Sequence, residues 1–143
     1  MARHVLVAID ESDPAAKALE YALEEHSDAT ITLLHVLKPD HPYAPSRANA
    51  GIEEYEEYVR EFHEGGRNGV LRRGLELAAD DPDVETALRI GNAATKTVAF
   101  ADEHGVDLIV IGSHGRTSMS RVLLGSVAET IVRRAPVPVT IVR

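Results

Sequence analysis

The sequence predicts a doubly wound α/β fold, a parallel β-sheet with helices on both of its faces. Short apolar runs rich in Val, Ile and Leu alternate along the chain with segments whose apolar residues recur at helical spacing. The strand candidates are apolar throughout, which is typical of parallel strands that are buried on both faces. With 143 residues and 44% hydrophobic composition, the chain fits a single globular domain over residues 1–143.

A first βαβ unit is predicted near the N-terminus. Residues 3–9 form a strand candidate whose five-residue apolar run stops at Asp10. Ser12 or Asp13 is then placed to cap a helix, and the apolar residues that follow recur at helical spacing. Residues 30–37 form a second continuous strand candidate. This order of elements predicts two parallel strands joined by a right-handed crossover.

The middle of the chain carries a loop and an interrupted helix. Prolines within residues 39–45 indicate an irregular loop. Residues 52–62 place apolar side chains at steps of three and four, with acidic residues opposite, which predicts an amphipathic helix. The glycines between 65 and 69 are expected to interrupt it, because each interior glycine costs about 1 kcal/mol relative to Ala. The helical pattern resumes over residues 70–79.

The remaining elements continue the alternation of strands and helices. A Gly-Asn pair ending at Asn92 precedes the next helix as a cap, and Gly105 follows it as a residue suited to left-handed backbone. In the last helix, Val127, Ile131 and Val132 are expected to face inward. The predicted strands are residues 84–90, 106–111 and 137–142, and the predicted helices are residues 93–104 and 126–134.

The topology predicts where a ligand binds. In doubly wound sheets the ligand crevice lies outside the C-terminal ends of the strands, at the point where strand order reverses. Asp10, Val36 and Gly112 each stand at or near the end of a strand candidate. We therefore expect them to be neighbours at the crevice.

A glycine-punctuated segment follows the fourth strand candidate with the spacing G-x2-G-x9-G-S, from Gly112 through Gly115 to Gly125 and Ser126. Glycines let the backbone approach an anion, and free N–H groups at a helix N-terminus attract phosphate oxygens. Arg116 adds positive charge to a chain whose formal net charge is −8. The segment predicts a phosphate site, although the same glycines can also serve only to turn the chain.

Turnover is less well supported than binding. The P-loop pattern requires a lysine directly after its last glycine, whereas Gly125 is followed by Ser126 and Val127. Phosphoryl transfer also needs metal-holding carboxylates, and Asp10 is the one such residue expected near the segment. An enzyme that hydrolyses ATP slowly or transfers adenylate, using Asp10, His114 and a metal, remains an alternative. A nucleotide-independent dimeric scaffold is another.

Composition excludes several classes of function. The net charge of −8 argues against nucleic acid as a partner, since phosphate contacts need clustered Lys and Arg. The apolar runs are too short to span a membrane. The absence of cysteine excludes disulfides and thiolate metal ligands, and zinc is not expected. We expect a cytoplasmic protein.

Motifs at five places in the chain carry a family resemblance. They are VLVAIDES at residues 5–12, LLHV at 33–36, DLIVIGSHG at 107–115, LLGSVA at 123–128 and PVPV at 136–139. Through these motifs nearly the whole chain resembles a universal stress protein of the UspA type, and the glycine spacing is similar to that of the branch of the family that binds ATP.

The resemblance implies a function and a site. It implies a five-stranded, Rossmann-like sheet of strand order 3-2-1-4-5, and a stress-response module that binds ATP, with Mg²⁺ as a candidate companion ion. It implies a homodimer joined through the last strand and a protein partner that it does not identify. Asp10 would lie beside the nucleoside, and the backbone of Val36 would meet adenine. The ribose and phosphates would be held by Ile111, Gly112, Gly115, Arg116, Gly125, Ser126 and Val127.

Overall fold

The protein is described by a computed structural model that covers residues 3–10, 12–38, 69–113 and 124–143. The strands are β1 His4–Ala8, β2 Thr30–Leu37, β3 Val84–Ile90, β4 Leu108–Gly112 and β5 Val139–Val142. The helices in these ranges are α1 Asp13–Glu25, α2 Val70–Leu77, α3 Ala93–Glu103 and α4 Ser126–Arg134. The helix predicted over residues 52–62 and the loop at 39–45 lie outside them.

The five strands form one parallel sheet in the order β3-β2-β1-β4-β5. The chain first builds outward from β1 to β2 and β3, and then returns to place β4 on the other side of β1. Strand order therefore reverses between β1 and β4. The predicted fold class and strand order are confirmed.

Successive residues of β1 point into two separate cores, one on each face of the sheet. Val5 and Val7 are fully buried in a cluster that includes residues of α1 and α2. Leu6, which lies between them, is fully buried in a second cluster with Phe100 of α3 and Ile131 of α4. Because a strand alternates its side chains, an apolar strand needs helices on both faces.

The helix caps follow the sequence closely. The Ser12 hydroxyl accepts a hydrogen bond from the Ala15 N–H at 3.3 Å, so Ser12 rather than Asp13 caps α1. The Asn92 side chain accepts from the Thr95 N–H at 3.0 Å and caps α3. Gly105 has a φ of +62° just beyond α3, the left-handed backbone predicted for that glycine.

The inward face of α4 differs from the prediction. Ile131 is 1% exposed as expected, but Val127 and Val132 are 45% and 44% exposed. The buried partner of Ile131 is Ala128, at 5% exposure, three residues earlier on the same side of the helix. The expectation for the two valines was wrong because it followed side-chain size, whereas the small Ala128 lets the helix backbone approach the sheet.

Candidate functional site

A cavity of about 400 Å³ lies at the C-terminal ends of β1, β2 and β4, where strand order reverses. This volume is within the range of pockets that take small molecules. The residues of the predicted site that line it are Asp10, Val36, Ile111, Gly112, Gly125, Ser126 and Val127. Gly115 and Arg116 lie outside the described residues. The crevice expected from topology is therefore present, and seven predicted residues meet there.

Three helices begin at this cavity. It is lined by Ser12 at the cap of α1, by Ala93 at the start of α3, and by Gly125 and Ser126 at the start of α4. Each helix N-terminus carries about half a positive charge and amides without an acceptor inside the helix. The dipoles of the three helices therefore favour negative charge in the cavity.

The start of α4 is suited to an anion. Gly125 is its N-cap and supplies no side-chain hydrogen bond to the amides of the first turn. The first backbone bond into the helix runs from the Glu129 N–H to the Gly125 carbonyl at 2.9 Å. The amides between them, from Ser126 onward, therefore have no acceptor inside the helix. The Ser126 side chain is exposed at the same point.

The two ends of the glycine-punctuated segment meet directly. The Gly125 N–H donates to the Ser113 carbonyl at 2.8 Å. The Ser113 N–H in turn donates to the Val142 carbonyl of β5 at 2.9 Å. These two hydrogen bonds fix the start of α4 to the C-terminal ends of β4 and β5, beside the cavity.

Gly112 is required by helix packing. A Cβ built on Gly112 would lie 2.7 Å from the Pro14 carbonyl carbon, 2.7 Å from its Cβ and 2.8 Å from its oxygen. Contacts this short with backbone atoms exclude any side chain. The glycine spacing predicts that the backbone approaches an anion at Gly112. The structure shows a second reason for this glycine, the packing of α1, which the spacing does not indicate.

Asp10 lies at the mouth of the cavity, just after β1. Its Oδ1 accepts a hydrogen bond from the Ser12 N–H at 2.7 Å, which fixes the carboxylate in a short turn. Asp10 does not cap α1, because Ser12 is the cap. The carboxylate is exposed and lines the cavity, so it is placed to meet a polar group of a ligand.

Some lining residues were not predicted from the sequence. His35 of β2 lines the cavity, and its Nδ1 lies 3.0 Å from the Ile9 carbonyl oxygen. Thr97 is buried in α3, and its hydroxyl donates to the Ala93 carbonyl at 2.7 Å. Leu124 also lines the cavity. The position of His35 directly before Val36 was a usable signal, whereas the side of α3 that faces the cavity depends on tertiary packing.

Comparison with known proteins identifies the family. The profile of the Universal stress protein family matches residues 1–143. The chain belongs to the universal stress protein family. Universal stress protein YxiE of Bacillus subtilis is 33% identical over 153 residues, which cover 100% of both chains.

Solved universal stress proteins share the fold. A UspA from Lactobacillus plantarum superposes with a TM-score of 0.73 at 26% identity, covering 99% of this chain and 97% of that one. A universal stress protein crystallised in complex with cAMP gives a TM-score of 0.67 at 25% identity, with 99% and 97% covered. Among the residues that the structure describes here, no helix is long and apolar enough to cross a bilayer.

Proposed function

We propose that this universal stress protein binds ATP in the cavity at the C-terminal ends of β1, β2 and β4 and acts as a nucleotide-dependent stress-response module of the cytoplasm. The observation that carries the proposal is the convergence of three helix N-termini on one cavity of about 400 Å³. The cAMP complex of a related protein supports an adenine nucleotide as the ligand.

The cavity offers a different chemistry to each part of ATP. Val36 and Leu34 of β2 provide apolar surface for adenine, and Asp10 provides an acceptor for a ribose hydroxyl. The first turn of α4, beginning at Ser126, provides amide donors for phosphate oxygens. Gly115 and Arg116, in the segment that follows Ser113, are proposed to complete the phosphate site.

The residues present also fit Mg²⁺ beside the phosphates. Mg²⁺ is usually held by one or two carboxylates together with phosphate oxygens and water. Asp10 has one carboxylate oxygen bonded to the Ser12 N–H, which leaves its second oxygen for such a role. Asp10 is the one carboxylate in the described lining of the cavity. A single carboxylate suits the binding of a nucleotide better than its hydrolysis, because phosphoryl transfer also needs a residue that orients the nucleophile.

Isothermal titration of the protein with ATP and Mg²⁺ tests the proposal. We expect saturable binding in the micromolar range, weakened at least tenfold by Asp10→Asn. Asp13→Asn is the matched control, because Asp13 is an exposed acid in the first turn of α1 and does not line the cavity. No saturable heat below millimolar ATP would overturn the proposal.

Recovery of the ligand distinguishes a binder from a slow enzyme. Mass spectrometry of the nucleotide that copurifies with the protein identifies the adenine nucleotide preferred. ATP that is recovered intact after hours of incubation and denaturation supports the binding function. Steady formation of ADP or of an adenylated product, abolished by His114→Ala, would instead support catalysis.

We also propose that the protein forms a homodimer through β5. Within the described residues β5 pairs with β4 alone, so its other edge is a template for pairing. The Ser113 N–H bonds to the Val142 carbonyl, which means that Ile141 directs its backbone N–H away from β4. Ile141→Pro should therefore dissociate the dimer in sedimentation experiments, whereas Ile141→Ala, which keeps the N–H, should not. If the wild-type protein is a monomer at micromolar concentration, the proposed dimer is refuted.

A further inference from the structure

We infer that His35 is a positioning residue of the nucleotide site, which holds Asp10 in place through the Ile9 carbonyl. The inference rests on the proposed function, because it assigns to His35 a part in ligand binding at the same cavity. The relation it depends on is the 3.0 Å separation between the His35 Nδ1 atom and the Ile9 carbonyl oxygen.

The chemistry of the two atoms fixes which one donates. A carbonyl oxygen can only accept a hydrogen bond, so the proton must be on Nδ1 of His35. The neutral side chain is therefore the Nδ1–H tautomer, and the protonated side chain makes the same bond. The contact with Ile9 thus persists in both states of the ring.

The bond acts on Asp10 because Ile9 and Asp10 share a peptide group. The carbonyl of Ile9 and the N–H of Asp10 lie in one rigid plane, so fixing the carbonyl fixes the start of the Asp10 backbone. On the other side, the Asp10 carboxylate is fixed to the Ser12 N–H at 2.7 Å. Both contacts are needed because β1 ends at Ala8, before this turn.

The backbone of Ile9 is held by β2 on both sides of its Cα atom. Its N–H donates to the Leu34 carbonyl at 2.9 Å, and its carbonyl accepts from the ring of His35. The backbone thus ties Asp10 to the same stretch of β2 that carries Val36. The two residues proposed to meet ribose and adenine are thereby held at a constant separation, which is what a nucleoside site requires.

Two substitutions distinguish the contribution of the His35 ring from that of its N–H donor. Phe preserves an aromatic ring and removes the donor, whereas the Nδ2 of Asn lies as many bonds from the backbone as the Nδ1 of His and preserves the donor. Loss of one hydrogen bond changes equilibria by about 3- to 10-fold. We expect His35→Phe to lower the affinity for both ATP and adenosine by that factor. The affinities of His35→Asn should lie within twofold of those of the wild type.

A double-mutant cycle shows whether the effect passes through Asp10. If His35 acts by positioning Asp10, His35→Phe should weaken ATP less than twofold when Asp10→Ala is already present. A merely structural role would lower stability without this coupling. The inference is overturned if His35→Phe lowers ATP affinity by the same factor with and without Asp10→Ala, or if it leaves ATP affinity unchanged. In either case the proposed function stands as long as the wild-type protein binds ATP.

A spectroscopic measurement on the unmodified protein covers the case in which a variant does not fold. Long-range proton–nitrogen NMR correlations distinguish the two neutral tautomers of a histidine. The expected result is the Nδ1–H tautomer for His35, and the Nε2–H tautomer would overturn the inference. Absence of ATP binding by the wild type would instead remove the proposed function, and this inference with it.

Discussion

Pro14 occupies the space that a side chain at position 112 would need. The first turn of α1 therefore packs directly against the backbone at the end of β4, with nothing between Gly112 and the carbonyl group of Pro14. Gly112 lines the cavity, so this contact fixes the start of α1 beside it, where strand order reverses.

Gly112→Ala should destabilise the protein by about 2 kcal/mol, because overpacking against backbone atoms is not relieved by a change of rotamer. Chemical denaturation measures the loss. Gly105→Ala is the comparison, because its Cβ would have nothing within 4 Å and only its φ of +62° opposes a side chain. The free energy of unfolding of Gly105→Ala should be lower than that of the wild type by about 1 kcal/mol. A neutral Gly112→Ala would contradict the close contact.

Asn92→Ala should lower the free energy of unfolding by about 1 kcal/mol, because it removes the acceptor for the Thr95 N–H at the start of α3. Asn92→Asp keeps an acceptor at the same place and should retain most of the stability. Thermal unfolding of the three proteins distinguishes these outcomes. Asn92 is exposed, so an equal loss in both variants would show that the cap contributes nothing.

The orientation of α4 predicts opposite results at two adjacent apolar residues. Ile131→Ala should cost about 3 kcal/mol because it opens a cavity in the core between α3 and α4. Val132→Ala should change stability by less than about 0.5 kcal/mol, since that side chain is largely exposed. Denaturant titration of the two variants checks the assignment, and similar losses at both positions would mean that the helix is rotated.

Ser126→Asp should separate stability from binding. A carboxylate in the first turn of α4 interacts favourably with the helix dipole, so unfolding should require about 0.5 kcal/mol more free energy. The same charge would oppose the phosphates of ATP and should weaken binding more than 30-fold at neutral pH. Ser126→Asn is the neutral control of similar shape. Increased stability with unchanged ATP affinity would place the phosphates elsewhere.

Much of the fold follows from local sequence signals. The bounds of β2, β3 and α4 agree with the prediction residue for residue, because Asp, Pro or Gly stands within two residues of each end of these elements. β5 begins at Val139 instead of residue 137, next to Pro138, which has no N–H for a ladder. Apolar character alone did not reveal that difference.

The cavity itself was predictable because it follows from topology, whereas the contacts inside it were not. The predicted parallel order is sufficient to place Asp10, Val36 and Gly112 together at one edge of the sheet. The contact of Gly112 with Pro14, and that of His35 with Ile9, join segments far apart in the chain. Such contacts depend on how each helix and strand is rotated, which periodicity indicates only approximately.

The hydrogen bond between the Ser113 carbonyl and the Gly125 amide has a consequence for how this protein can diversify. Because Ser113 and Gly125 are bonded to each other, insertions or replacements in the sequence between them need not disturb the sheet. The segment can thus be exchanged as a unit while the framework stays unchanged. A segment of different length or sequence should therefore be accepted between Ser113 and Gly125 without redesign of the core.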